Sequence, residues 1–114
     1  MVDGRRALGA EGEERAAAWY EANGYQVVAR NWRCRDGELD LVVRRGSELV
    51  FVEVKTRSTT RFGVPAEAVT SVKQRRLRGL ALRYVRETHT RADALRFDVV
   101  AIVGGELDVI QAAF

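Results

Sequence analysis

The chain has 114 residues, 46% hydrophobic and 31% charged, with one proline and a formal net charge of +3. That length usually supports one core, no linker interrupts it, and it reads as a single domain over residues 1–114. Cys34 is the only cysteine, which excludes an intrachain disulfide and a clustered thiolate metal site; Met1 to Gly9 carries two arginines and no apolar run long enough for a signal peptide or membrane span, so the expectation is a cytoplasmic protein with no membrane partner.

Leu8 to Asn23 reads as a helix stopped by Asn23-Gly24. Glu13, Ala16, Ala17 and Tyr20 form one stripe on it, so Glu13 lies at the edge facing a sheet, while Glu11, Glu14 and Glu21 read as solvated positions. Tyr25 to Trp32 is a first strand, and Arg33 to Gly37 a turn. Glu38 to Arg44 and Leu49 to Thr56 are the arms of a hairpin closed by Gly46-Ser47, a loop that favours a type I′ or II′ turn. After a loop from Arg57 to Val69, anchored by Phe62 and Pro65, Ser71 with Gln74 reads as a capping box. The helix it opens runs to about Thr88, with Leu77, Leu80, Ala81 and Tyr84 as its buried stripe and His89 at its C-terminal end. Leu95 to Val103 is a strand, Gly104-Gly105 a tight turn and Glu106 to Ile110 a short final strand. The helical crossover between the Glu53 strand and the Leu95 strand makes those two parallel, giving a mixed sheet between helices. Trp19 and Trp32 are assigned to the core.

A two-residue turn sets the hairpin register, which places Asp40 opposite Glu53, Val42 opposite Phe51 and Glu38 opposite Lys55, all on one face. Leu39, Leu41, Val43, Val50, Val52 and Val54 make the other face, continuously apolar. Two carboxylates ~5 Å apart repel by about 1–3 kcal/mol at surface-like dielectric values. Folding alone does not select that pair. A hard divalent cation reverses the sign, since Mg²⁺ is held by one or two carboxylates together with waters and phosphate oxygens. The competing reading is an ion-pair cluster in which Lys55, Glu38 and nearby arginines neutralise the acids without a metal. Glu13 adds a third carboxylate that needs a partner.

Charge is distributed unevenly. Arg57 to Arg96 holds ten basic and three acidic residues, a local charge of +7 against −4 for the remainder. Arg57 and Arg61 in the loop and Lys73, Arg75 and Arg76 on the helix are therefore candidate phosphate contacts, beside the plainer reading of a solvated arginine-rich face. Hydroxyls of Ser58, Thr59 and Thr60 stand next to them.

Glu13, Asp40 and Glu53-Val54-Lys55 together resemble the PD-(D/E)xK signature of restriction-endonuclease-like nucleases, with Leu39 where the proline would stand. Gly12-Glu13-Glu14-Arg15-Ala16, Arg30-Asn31-Trp32-Arg33-Cys34-Arg35, Gly37-Glu38-Leu39-Asp40-Leu41, Phe51 to Arg57, Pro65 to Thr70 and Arg96-Phe97-Asp98-Val99-Val100 are similar, in that order, to the YraN family. The resemblance covers nearly the whole chain. It implies an α/β three-layer restriction-endonuclease-like fold of order αβββαββ, with strands one to five in sequence in a mixed five-stranded sheet and helices on both faces. It further implies a Mg²⁺-dependent endonuclease on DNA, similar to archaeal Holliday-junction resolvases, with Mn²⁺ able to substitute and a homodimer supplying two cuts. Asp40, Glu53 and the Val54 carbonyl would be metal ligands, Glu13 would join directly or through a water, and Lys55 would orient and help deprotonate the attacking water. Glu38, opposite Lys55, would fix that lysine or support the site from behind. Asp98 is read as a structural partner for an arginine near the start of its strand. Two readings from other classes stay open: a nucleic-acid-binding module without turnover, and a protein-interaction domain whose acidic patch is structural.

Overall fold

The structure is a computed structural model that describes residues 4–58 and 69–114. Its elements are α1 (Gly4–Ala22), β1 (Gln26–Cys34), β2 (Gly37–Arg45), β3 (Glu48–Arg57), α2 (Ser71–Glu87), β4 (Ala94–Val103) and β5 (Glu106–Ile110). The strands lie side by side in chain order; β3 and β4 are parallel and every other neighbouring pair is antiparallel. This is the αβββαββ order expected from sequence.

Side-chain alternation builds the two outer layers. Val43, Val50, Val52, Val100 and Ile102 pack with Ala16, Ala17 and Tyr20 of α1, and Val42, Leu49, Phe51 and Phe97 pack with Leu80, Ala81 and Tyr84 of α2. A strand covered on both faces needs an apolar residue at nearly every position, which is why Leu49 to Val52 reads as an unbroken run. Trp19 lies against the α1 side of the core and Trp32 against the α2 side. Gly46 has φ 61° while Ser47 stays in the ordinary region, the type II′ choice; Gly104 and Gly105, at φ 57° and 85°, make the second tight turn.

Helix ends differ in detail from expectation. α1 begins at Gly4 rather than Leu8. The cap of α2 is Thr70, whose side chain accepts from the Lys73 amide, and not Ser71. His89, at φ 53°, ends α2 in the left-handed position usually taken by glycine, with the Thr90 amide returning to the Val85 carbonyl and the His89 amide to the Arg86 carbonyl. Among the described residues no helix is long and apolar enough to cross a membrane.

Asp98 is fully buried and serves an arginine, as expected, but it lies in the middle of β4 rather than near its start. It pairs with Val52, one step from Glu53, and it is kept from the acidic pair by pointing to the α1 face rather than by distance along the strand. Arg96 Nε and Nη2 donate to its two oxygens at 2.9 Å, Tyr20 Oη donates at 2.6 Å and the Ala112 amide at 3.0 Å.

Candidate active site

The β2–β3 ladder follows the expected register from Arg45–Glu48 to Leu41–Val52 and stops there. At the next step the Val54 amide donates to Asp40 Oδ2 at 2.9 Å, so a carboxylate takes the place of a strand neighbour and the two strands part. β3 remains paired with β4 as far as Arg57, which keeps Glu53 and Lys55 anchored beyond the split.

A second irregularity coincides with the first. Arg30 pairs with Leu41 and Trp32 with Leu39, yet Leu41 packs on the α1 side and Leu39 on the α2 side. The intervening residues, Asn31 at φ 48° and Asp40, are where both strands roll over. Leu39 therefore leaves the apolar face assigned to it from simple alternation. Asp40 is left on the seam and lines a cavity on each side: one of about 240 Å³ with Glu38, Glu53, Lys73, Arg76 and Leu77, and one of about 260 Å³ with Glu13, Asn31 and Arg30.

Glu13 reaches this seam because α1 sits very close to β3. A Cβ on Gly12 would collide with Thr56 Oγ1, so glycine lets the helix approach without displacing that side chain. Burial raises the pKa of Glu13; the nearby Asn31 opposes this, and the charges of Glu38 and Glu53 add to it. Burial, then the neighbouring Glu53 carboxylate, push Asp40 up to about 7 against the opposing hydrogen bond from Val54. Three carboxylates thus feel one another's charge across the parted strands.

Lys55 Nζ lies 2.9 Å from Glu53 Oε1, both side chains about five-sixths buried at 17% and 16% exposure. Burial alone would lower the Lys55 pKa, but Glu53 outweighs it and the net direction is up. Lys73, from the first turn of α2, stands near Lys55, and its pKa is lowered chiefly by that like charge. Arg76 stands in the same cavity wall, whereas Arg57 and Arg75 are exposed further out. Arg61, Phe62 and Pro65 lie outside the described residues.

Glu38 does not face Lys55. It pairs with Arg33 at 3.0 Å, its neighbour in the β1–β2 ladder, because β2 has already left β3 by that point. It still lines the acidic cavity. Asn31, by contrast, was not singled out from sequence; its one signal was a strand-disfavoured residue inside a predicted strand.

Among the described residues no three His, Cys, Asp or Glu side chains close into a metal cage. The donor set fits a hard oxygen-liganded cation that keeps most of its water, since Asp40 and Glu53 repel one another, carry no guanidinium partner among the described residues and border an open cavity.

Fold and site together define a three-layer α/β protein of order αβββαββ, with a cleft lined by Glu38, Asp40, Glu53 and Lys73 where two strands part. The chain belongs to the uncharacterised protein family UPF0102, whose profile it matches over residues 12–102, the same family as the YraN family met in the sequence. A UPF0102 protein from Beutenbergia cavernae is 59% identical over 97 residues, covering 85% of this chain and 82% of its own. UPF0102 proteins from Nocardia farcinica and Symbiobacterium thermophilum are 51% and 49% identical, covering 90% and 88% of this chain and 80% and 85% of their own.

Proposed function

We propose that this protein is a Mg²⁺-dependent endonuclease that hydrolyses phosphodiester bonds in DNA, acting on branched or recombination and repair intermediates as a homodimer. The observation that carries the reading is the convergence of Asp40 and Glu53 with Lys55 where β2 leaves β3. Ion-pair clusters that only stabilise a fold neutralise their acids; here burial and the charges of Glu53 and Glu13 push the Asp40 pKa up to about 7.

Asp40 and Glu53, with the Val54 carbonyl, would hold Mg²⁺ or Mn²⁺, and Glu13 would reach it through a water. When bound, that ion lowers the pKa of its water and stabilises charge on the phosphate. The chain's own residues do the rest. Glu53 fixes the Lys55 ammonium, which would orient the attacking water, help deprotonate it by stabilising the hydroxide left when its proton passes to solvent, and donate to the developing phosphorane charge. Asp40, tied by one oxygen to Val54, keeps the other for the ion. Lys73 and Arg76 at the cavity wall would neutralise the phosphates flanking the cut, with Arg57 and Arg75 extending the track along the backbone.

The test is incubation of purified protein with duplex, single-stranded, flap and four-way-junction DNA in Mg²⁺, Mn²⁺ and chelator, beside Asp40→Ala and Lys55→Ala. Metal-dependent cutting that both substitutions abolish is the expected result. Binding without cutting in every metal arm would leave a nucleic-acid-binding module, and cutting at the parent's rate in Lys55→Ala would point to a contaminant.

A further inference from the structure

Asn31 occupies the left-handed region, φ 48°, in the middle of β1. Asparagine enters that region more readily than most residues, but glycine does so at still lower cost. Its side chain is solvent-exposed, so core packing does not demand an asparagine there. What the residue does face is chemical: it lines one cavity with Glu13 and Asp40, close enough to the Glu13 carboxylate to oppose the rise that burial gives its pKa. Glu14, the adjacent acid on α1, is already engaged by Arg30 at 2.7 Å. Unusual backbone conformations in the vicinity of a site are kept when they aim a side chain.

We infer that Asn31 is a positioning residue: its left-handed backbone rolls β1 at the seam and turns the carboxamide beneath α1, holding the Glu13 carboxylate toward Asp40. The inference rests on the proposed nuclease site, and it adds a residue outside the acidic and lysine set. It also accounts for the shared position of the two irregularities, since the roll that exposes Asp40 to both cavities is the one that presents Asn31 to Glu13.

Asn31→Gly keeps the backbone conformation and deletes the carboxamide. In Mg²⁺ on a DNA substrate that the parent cuts, this variant is expected to melt close to the parent, to lose about tenfold or more in kcat and to keep its KM. Adding Glu13→Gln to Asn31→Gly should cost little more than Glu13→Gln alone, because both act through one carboxylate. A readout free of activity accompanies this: side-chain couplings of Glu13 by NMR should report one rotamer in the parent and averaging in Asn31→Gly. Full kcat in Asn31→Gly, additive losses in the double variant, or an equally fixed Glu13 would overturn the inference. A parent that cuts no DNA while Asn31→Gly still frees Glu13 would uphold it and remove the nuclease reading alone.

Discussion

The Val54 amide and the Asp40 carboxylate, 2.9 Å apart, mark the point where β2 and β3 separate. A hydrogen bond to an ionised acceptor is stronger than the neutral ladder bond it replaces, so the charge that disrupts the sheet also terminates it cleanly. Burial and the Glu53 carboxylate outweigh this bond and raise the Asp40 pKa, which sets a pH dependence. In the unfolded chain Asp40 titrates near its ordinary 3.8, and in the folded protein near 7, so between these values the folded state holds a proton that the unfolded state has lost. Stability of metal-free protein should therefore fall as pH rises through that window and stay reduced above it. Melting curves in chelator from pH 5 to 8 should show this decline; Asp40→Asn should flatten it and melt higher than the parent at pH 8. An equally steep decline in Asp40→Asn would assign the slope to another group.

Divalent cation should reverse the penalty. Mg²⁺ or Mn²⁺ at pH 8 is expected to raise the melting temperature of the parent in proportion to the logarithm of its concentration, and to leave Asp40→Asn unmoved. An increase of the same size in both proteins would mean that the ions act elsewhere.

Lys55 is expected to matter for turnover and little for binding. Lys55→Ala removes the donor held by Glu53, so cleavage should drop by about 10²–10³-fold with DNA affinity nearly retained. Single-turnover rates measured beside equilibrium binding separate the two effects, and a matching loss in both would make Lys55 a phosphate anchor instead.

Lys73, Arg75 and Arg76 should contribute sequence-independent affinity. Each changed to alanine is expected to weaken DNA binding uniformly and to lower the slope of log affinity against log salt by about 1. An unchanged slope in all three variants would return α2 to the status of a solvated basic face.

Asp98 tests the opposite kind of acid. It accepts from Arg96, Tyr20 and Ala112 with no exposure, so Asp98→Ala leaves a guanidinium and a buried hydroxyl without their acceptor and should cost about 3–5 kcal/mol in denaturant titrations. The response to Mn²⁺ should persist in whatever fraction stays folded. Disappearance of that response with stability intact would move Asp98 into the metal site.

Much of this protein was readable along the chain. Alternation of period two and a two-residue turn sufficed for the β2–β3 register from Arg45 to Leu41, and the apolar runs of β3 and β4 for a strand pair covered on both faces. Asp40, Glu53 and Lys55 stood out because repulsive charge inside an apolar hairpin has a local signature. Tertiary structure decided how that hairpin ends. Whether Val54 bonds a backbone carbonyl or the Asp40 carboxylate, whether Leu39 faces α1 or α2, and whether Glu38 meets Lys55 or Arg33 all depend on two helices closing from opposite sides. Periodicity carries a ladder forward unchanged; only packing in three dimensions can stop it, roll it and bring Asn31 into one cavity with Glu13.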